Sequence, residues 1–182
     1  MLLTADGAVL LLIDLQQRLM PVIAEQETVL ARAGRLAEAA RLMDVSVIAT
    51  EQNPAGLGPT VPSLSAYPHK VLAKTAFSAA GDPGLAALLP PPGAGRGVGE
   101  ILICGVEAHV CVLQTVLDLL DRGYRVAVTA DAVGSRHLTD RDAALERARQ
   151  HGAEIVTSEM VLFEWLRDSR HPRFRDVQKL LK

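Results

Sequence analysis

A thiolate can attack a carbonyl carbon, a carboxylate can take the thiol proton, and an ammonium can hold that carboxylate ionised while favouring the thiolate. Asp14, Lys74 and Cys111 supply these three groups, and each stands at or just past the end of an apolar run. Asp14 follows AVLLLI, Lys74 ends KVLAK, and the stretch carrying Glu107, His109 and Cys111 follows EILICG. Cys111 also falls in the first turn of a helical pattern, where unpaired backbone N–H groups lower a thiol's proton affinity and can receive an oxyanion. His109, two residues upstream, is placed to shuttle protons or bind substrate, or else to shape its loop through a hydrogen bond or make an oligomer contact. Taken singly these residues have plainer readings. Asp14 could cap a helix, Lys74 could run its stem over apolar surface to water, and Cys111 could pack as a small hydrophobe, as Cys104 inside ILICG does. Their shared place at strand ends is what points to acyl-transfer chemistry.

The elements that must position them are legible as six apolar runs, at residues 8–13, 45–50, 70–74, 100–105, 125–130 and 153–158. These alternate with helical patterns, and most are apolar throughout, which predicts a parallel α/β sheet covered on both faces. In such a sheet ligands bind beyond the carboxyl ends of the strands, the edge where Asp14, Lys74 and Cys111 lie. The spacing predicts helices over 28–43, over 110–122 with Gly123 as C-cap, and over 160–166. Asp82 before Pro83 reads as an N-cap, and Thr139 with Asp142 reads as the capping box of a helix closed by Gly152. Residues 51–68, with four prolines and two glycines, form a long loop of the kind that often carries function. The stretch 90–99, PPPGAGRGVG, reads as a flexible connection. Its glycines lead into a strand instead of following one and opening a helix, so it is not a dinucleotide-binding turn. The 182 residues form a single domain without internal repeats.

Composition narrows the function further. Hydrophobic residues make up 49 % of the chain but aromatics only 3 %, so the core is built from Ala, Val, Leu and Ile, and rings for stacking single-stranded nucleic acid are scarce. A net charge of -2 without a basic stretch argues against a polyanion partner. Two cysteines are too few for a secreted disulfide framework. The apolar opening run is too short for a membrane span, is interrupted by Asp14, and has no basic region before it. It reads as a buried strand, and the expectation is a cytoplasmic protein with no membrane partner.

Three stretches carry a family resemblance. VLLLIDLQQRL, VLAKTAFSA and ICGVEAHVCVLQTVLDLLDRGYRVAVTADAVGSR resemble, in that order, the opening strand, the lysine motif and the nucleophile segment of isochorismatase-like cysteine hydrolases. The match is collinear over about residues 9–163. It implies a three-layer α/β sandwich with a six-stranded parallel sheet of order 3-2-1-4-5-6. It implies a catalytic triad with Cys111 as nucleophile, Asp14 as base and Lys74 as its electrostatic partner, working through a thioester-type intermediate that water hydrolyses. It also implies a cis peptide at Val106–Glu107 and an oxyanion hole made by the Glu107 and Cys111 amides. Gln16, Gln52, Phe77 and His109 are taken as substrate-binding residues, and Asp131, Ser135 and Arg136 resemble a loop that buttresses the site.

The departures from the family pattern also matter. Metal-dependent nicotinamidases of this fold carry an Asp-x-His motif after the second strand, whereas ATEQNPAGLGPTVPS has no histidine before His69. Three ligands cannot be assembled there, so neither metal nor other cofactor is expected. EAHVC and TEQNPAGLGPT resemble the metal-free branch that includes the isochorismatase domain-containing proteins. Isochorismate itself is not the expected substrate, because the siderophore-pathway isochorismatases do not depend on a cysteine. The resulting expectation is a homo-oligomeric hydrolase of an amide or related C–N bond in a small molecule. The alternative is a redox-sensing or binding protein that uses the same thiol without turnover.

Overall fold

The computed structural model describes residues 2–93 and 99–181. Six strands, Val9–Ile13 (β1), Ser46–Gln52 (β2), Lys70–Lys74 (β3), Glu100–Val106 (β4), Arg125–Gly134 (β5) and Glu154–Val156 (β6), form one parallel sheet in the order β3-β2-β1-β4-β5-β6. This is the order the family resemblance implies. β1 and β4 lie at its centre and are buried at every residue, which is why they read as apolar runs, broken only by Glu100 at the start of β4. The chain winds from β1 to one edge and then returns to build the other, so the strand order reverses between β1 and β4. A crevice at the carboxyl ends of the strands opens at such a reversal.

Helices cover both faces: Gln26–Leu42 (α1), Pro54–Leu57 (α2), Pro83–Ala86 (α3), Leu113–Asp121 (α4), Leu138–Gln150 (α5), Ser158–Leu166 (α6) and Phe174–Lys179 (α7). Alternate β1 residues feed two separate cores. Leu10 and Leu12 join Ala33 and Leu36 of α1 and Leu162 and Trp165 of α6, while Val9, Leu11 and Ile13 join Val116 and Leu119 of α4 and Ala144 and Ala148 of α5. Three layers result.

Registers bring the strand ends together. Ile13 pairs with Thr50 on one side and Gly105 on the other, and Gln52 pairs with Lys74. Gly105 has φ +139, and a Cβ there would meet the Ile13 carbonyl oxygen at 2.2 Å, so only glycine lets β4 approach β1 at this point.

Several element ends differ from the sequence reading. α1 starts at Gln26, and α6 starts at Ser158 because the Thr157 side chain caps it by accepting from Met160 N, leaving β6 only three residues long. α5 is preceded by His137 with no side-chain cap, so Thr139 lies inside the helix and does not open it. The regular part of the helix after β4 begins at Leu113, and Ala108–Val112 form a π-helical turn instead. Asp82 does cap α3, accepting from Gly84 N at 2.7 Å and Leu85 N at 3.3 Å. Within 51–68, β2 runs on to Gln52, α2 follows, and Thr60 bridges to Gln16. Of the stretch 90–99, residues 94–98 lie outside the described residues. No helix among the described residues is long and apolar enough to cross a membrane.

Candidate functional site

Asp14 leaves β1 in a left-handed conformation, φ 52, with its N–H bonded to Thr50 O at 3.1 Å. Its carboxylate is fully buried. Thr50 Oγ1 donates to Oδ1 at 2.7 Å, and Lys74 Nζ donates to Oδ2 at 2.7 Å. The Lys74 side chain is only 3 % exposed and finds further acceptors in Gln52 Oε1 at 2.9 Å and the Phe77 carbonyl at 3.0 Å, with the Ala76 carbonyl at 3.4 Å. A buried ion pair is tolerated when its remaining polar atoms are satisfied in this way.

Cys111 sits on the π-helical turn between β4 and α4. The Glu107 carbonyl receives Val110 N at 3.1 Å and Val112 N at 3.2 Å, which closes the turn. Thr115 Oγ1 donates to the Cys111 carbonyl at 2.7 Å and accepts from Ala79 N at 3.0 Å, tying the turn to the segment after Lys74. The Val106–Glu107 peptide is cis. Asp14 and Lys74 are in direct contact, and the charges of both act on the Cys111 thiol of the turn after β4, the carboxylate opposing its ionisation and the ammonium favouring it.

The thiol's acidity corrects the sequence reading, which had helix N–H groups and the lysine lowering it. Burial pushes Cys111 up to about 12, the Asp14 carboxylate adds to the rise, and the Lys74 ammonium pulls only partly the other way. At 5 % exposure, loss of hydration outweighs the nearby cation.

The remaining expected site residues fall into different places. Gln16 is fully buried and does not line a pocket mouth. Its Nε2 donates to the carbonyls of Gln52 at 3.0 Å and Gly58 at 2.6 Å, and its Oε1 accepts from Gln52 N at 2.7 Å. Gln52 turns its side chain to Lys74 and to the Thr75 carbonyl, the latter at 2.7 Å. Phe77 is 52 % exposed, and its carbonyl is what holds Lys74. His109 Nδ1 lies 3.0 Å from Ser135 Oγ and 3.6 Å from Glu107 Oε2. Arg136 binds the same Glu107 carboxylate through Nε at 2.7 Å and its backbone N–H at 3.2 Å. Ser135 and Arg136 thus brace the turn that carries Cys111. Asp131 does not: its carboxylate accepts from Ser158 N at 2.7 Å and Ser158 Oγ at 2.6 Å, joining β5 to α6.

Two contributors escaped the sequence reading, Thr50 and Thr115. Each had a faint signal, a hydroxyl closing a buried strand beside Asp14 and a hydroxyl one helical turn after Cys111. A cleft of about 460 Å³, bounded by Asn53, Pro54, Ala73, Lys74, Ser78 and Asp82, reaches the lysine side of the site, and Cys111 does not line it. Among the described residues no group of three or more His, Cys, Asp or Glu side chains is placed to hold a metal ion.

Comparison with known proteins places these features in a wider set. Residues 8–160 match the isochorismatase domain family. Isochorismatase domain-containing protein 2 of Homo sapiens is 45 % identical over 176 residues, covering 97 % of this chain and 83 % of the relative. The solved structure of MAR1 ribonuclease from Caenorhabditis elegans superposes with a TM-score of 0.90 at 38 % identity, covering 100 % of this chain and 92 % of that one. The Escherichia coli YcaC gene product, described as an octameric hydrolase of unknown specificity, superposes with a TM-score of 0.82 at 25 % identity, covering 99 % and 94 %.

Proposed function

The chain belongs to the isochorismatase family, and from that premise and the site geometry we propose that it is a cysteine-dependent hydrolase of an amide or related C–N bond in a small molecule. Family membership makes hydrolysis the class of reaction. The observation that carries the finer reading is the buried Asp14 carboxylate, held by the Lys74 ammonium at 2.7 Å and by Thr50 Oγ1 at 2.7 Å, with its charge acting on the Cys111 thiol.

In this mechanism Asp14 takes the Sγ proton as sulfur bonds to the carbonyl carbon, so negative charge passes from the carboxylate to the carbonyl oxygen. The Glu107 and Cys111 amides receive that oxyanion. Asp14 then gives its proton to the departing nitrogen, the C–N bond breaks, and an acyl thioester remains on Cys111. Water attacks the thioester carbonyl as Asp14 takes a water proton, and the sulfur leaves and regains its proton. Lys74 stays an ammonium throughout, opposing whichever negative charge is present. His109, hydrogen-bonded to Ser135 beside the nucleophile, and Phe77, with its exposed ring, are the proposed substrate contacts.

A thiol pushed up to about 12 is not ionised at rest, so attack needs a base in contact with it. The same rise disfavours a redox sensor, whose thiol is ionised at rest, and for the hydrolase it makes contact with a base a requirement. The test is a panel of small amides assayed with wild type, Cys111→Ala and Cys111→Ser, with intact-mass detection of an acyl-enzyme. RNA belongs in the panel because the C. elegans relative is described as a ribonuclease. Both substitutions are expected to abolish turnover and adduct. Hydrolysis of any panel member that survived both would overturn the nucleophile assignment. Homo-oligomeric assembly is part of the same proposal, the E. coli relative being octameric, and a monomer by light scattering would remove it.

A further inference from the structure

We infer that Gln52 is a positioning residue for the proposed reaction: its carboxamide oxygen fixes the Lys74 ammonium against Asp14 and Cys111, and Gln16 fixes Gln52 in turn. The inference rests on the hydrolase reading only for its consequence in turnover.

An ammonium has three hydrogens. Those of Lys74 meet Asp14 Oδ2 at 2.7 Å, Gln52 Oε1 at 2.9 Å and the Phe77 carbonyl at 3.0 Å. Gln52 is the neutral side chain of this set, and it is gripped at both ends. Its Nε2 donates to the Thr75 carbonyl at 2.7 Å, on the strand end that carries Lys74. Its backbone N–H and carbonyl are both taken by the buried Gln16 amide, at 2.7 and 3.0 Å. Gln16 acts as a surrogate strand partner, continuing the β1–β2 pairing past its last register pair, Ile13 with Thr50. The chain from β1 through Gln16 and Gln52 to Lys74 thus gives the cation a second side-chain acceptor besides Asp14.

Without Gln52 the ammonium has a way out. Lys74 borders the cleft of about 460 Å³ together with Asn53, and its flexible four-carbon stem can carry the charge toward solvent there. A cation that leaves takes with it the attraction that favours the Cys111 thiolate. The charged groups facing the thiol are Asp14 from the end of β1 and Lys74 from the end of β3. On the thiol's own turn, Glu107 is paired with Arg136, and His109 is bonded to Ser135.

The thiol therefore reports the position of Lys74. The experiment measures iodoacetamide alkylation of Cys111 in the intact protein against pH, with Cys104 fully buried in β4 as a silent site. Gln52→Met keeps the bulk of the side chain and deletes the acceptor. Thr60→Val loosens the same loop by removing the 2.9 Å bond from Thr60 Oγ1 to Glu51, and does not touch Lys74. The expected result for Gln52→Met is a displacement to higher pH of at least about half a unit, or about threefold less alkylation at a given pH below the midpoint. Thr60→Val is expected to superimpose on wild type. A Gln52→Met profile that superimposes on wild type or moves to lower pH overturns the inference. So does an equal displacement in Thr60→Val, because loosening of the loop would then be the cause. Alkylation needs no substrate, so this outcome is independent of the amide panel. In any turnover assay, Gln52→Met should lower kcat with KM little changed.

Discussion

The carboxylate proposed to take the Cys111 proton is also a charge that keeps that proton on sulfur. Asp14 and burial both raise the thiol, and Lys74 lowers it. Asp14→Asn therefore separates the two roles. It removes the negative charge and leaves the ammonium facing the sulfur, so Cys111 should alkylate faster than wild type at mildly alkaline pH. It also removes the base, so turnover should fall by about 10²- to 10⁴-fold. Slower alkylation in this variant would mean that the carboxylate is not the charge acting on the sulfur. The sequence made the types and strand-end places of Asp14, Lys74 and Cys111 legible, but not how their atoms are shared. Gln16 and Gln52 read as polar residues near a pocket because a glutamine's sequence position does not say whether its amide faces water or a backbone. Only the register of β1 on β2 decides that, by bringing Gln52 N and O opposite the Gln16 side chain. The acidity of Cys111 was illegible for a related reason: helix-end N–H groups are visible in a pattern, whereas a thiol's loss of hydration depends on everything packed over it.

At the scale of elements, the site depends on how closely β1 and β4 approach. Gly105→Ala would set a Cβ 2.2 Å from the Ile13 carbonyl oxygen and 2.7 Å from Ile13 N, with rigid backbone on both sides. A loss of more than about 4 kcal/mol in unfolding free energy is expected, because neither strand of a buried central pair can move aside. Gly34→Ala is the matched control. Gly34 lies inside α1, where a new Cβ meets Leu64 Cδ2 at an ordinary 3.7 Å, so it should stabilise by about 0.5–1 kcal/mol. Chemical denaturation of the two variants reads both values, and a mild effect at Gly105 would contradict the close strand approach. The strands were readable because burial on both faces leaves no polar alternation. Helix ends were less so. The pair Thr139 and Asp142 has the right spacing for a capping box, yet α5 already begins at Leu138. Capping needs an extended backbone at the cap residue as well as a hydroxyl, and Thr157, with φ -105 and ψ 160, has both.

Across the whole molecule the sheet carries buried charge at its two opposite ends. The carboxyl ends hold Asp14 and Lys74, and the amino ends of β4, β5 and β6 hold Glu100, Arg125 and Glu154. Glu100 is 2 % exposed and accepts from Arg125 Nη1 at 2.7 Å and Thr4 N at 2.9 Å, while Arg125 Nη2 donates to Glu154 at 2.8 Å. Burial pushes the Glu100 carboxyl above its ordinary value of 4.5, more than the Thr4 amide and Arg125 pull it down. The folded state therefore holds the Glu100 proton more tightly than the unfolded chain does. The stability this gives is complete below 4.5 and is lost as pH rises through the raised folded value. Glu100→Gln cannot titrate, so its stability relative to wild type should rise as pH is brought from below 4.5 to neutral. Urea midpoints at the two ends of that range read the difference, and a fall in the variant's stability relative to wild type would show that the Thr4 amide and the neighbouring arginines outweigh burial. Arg125→Met tests the pair from the other side. It removes the guanidinium that pairs with the buried Glu100 carboxyl at 2.7 Å, at a cost of about 3 kcal/mol. The double variant Glu100→Gln, Arg125→Met should recover part of that loss, since no ionisable side chain then stands at position 100. Equal losses in the single and double variants would assign the cost to packing of the Arg125 stem and not to charge.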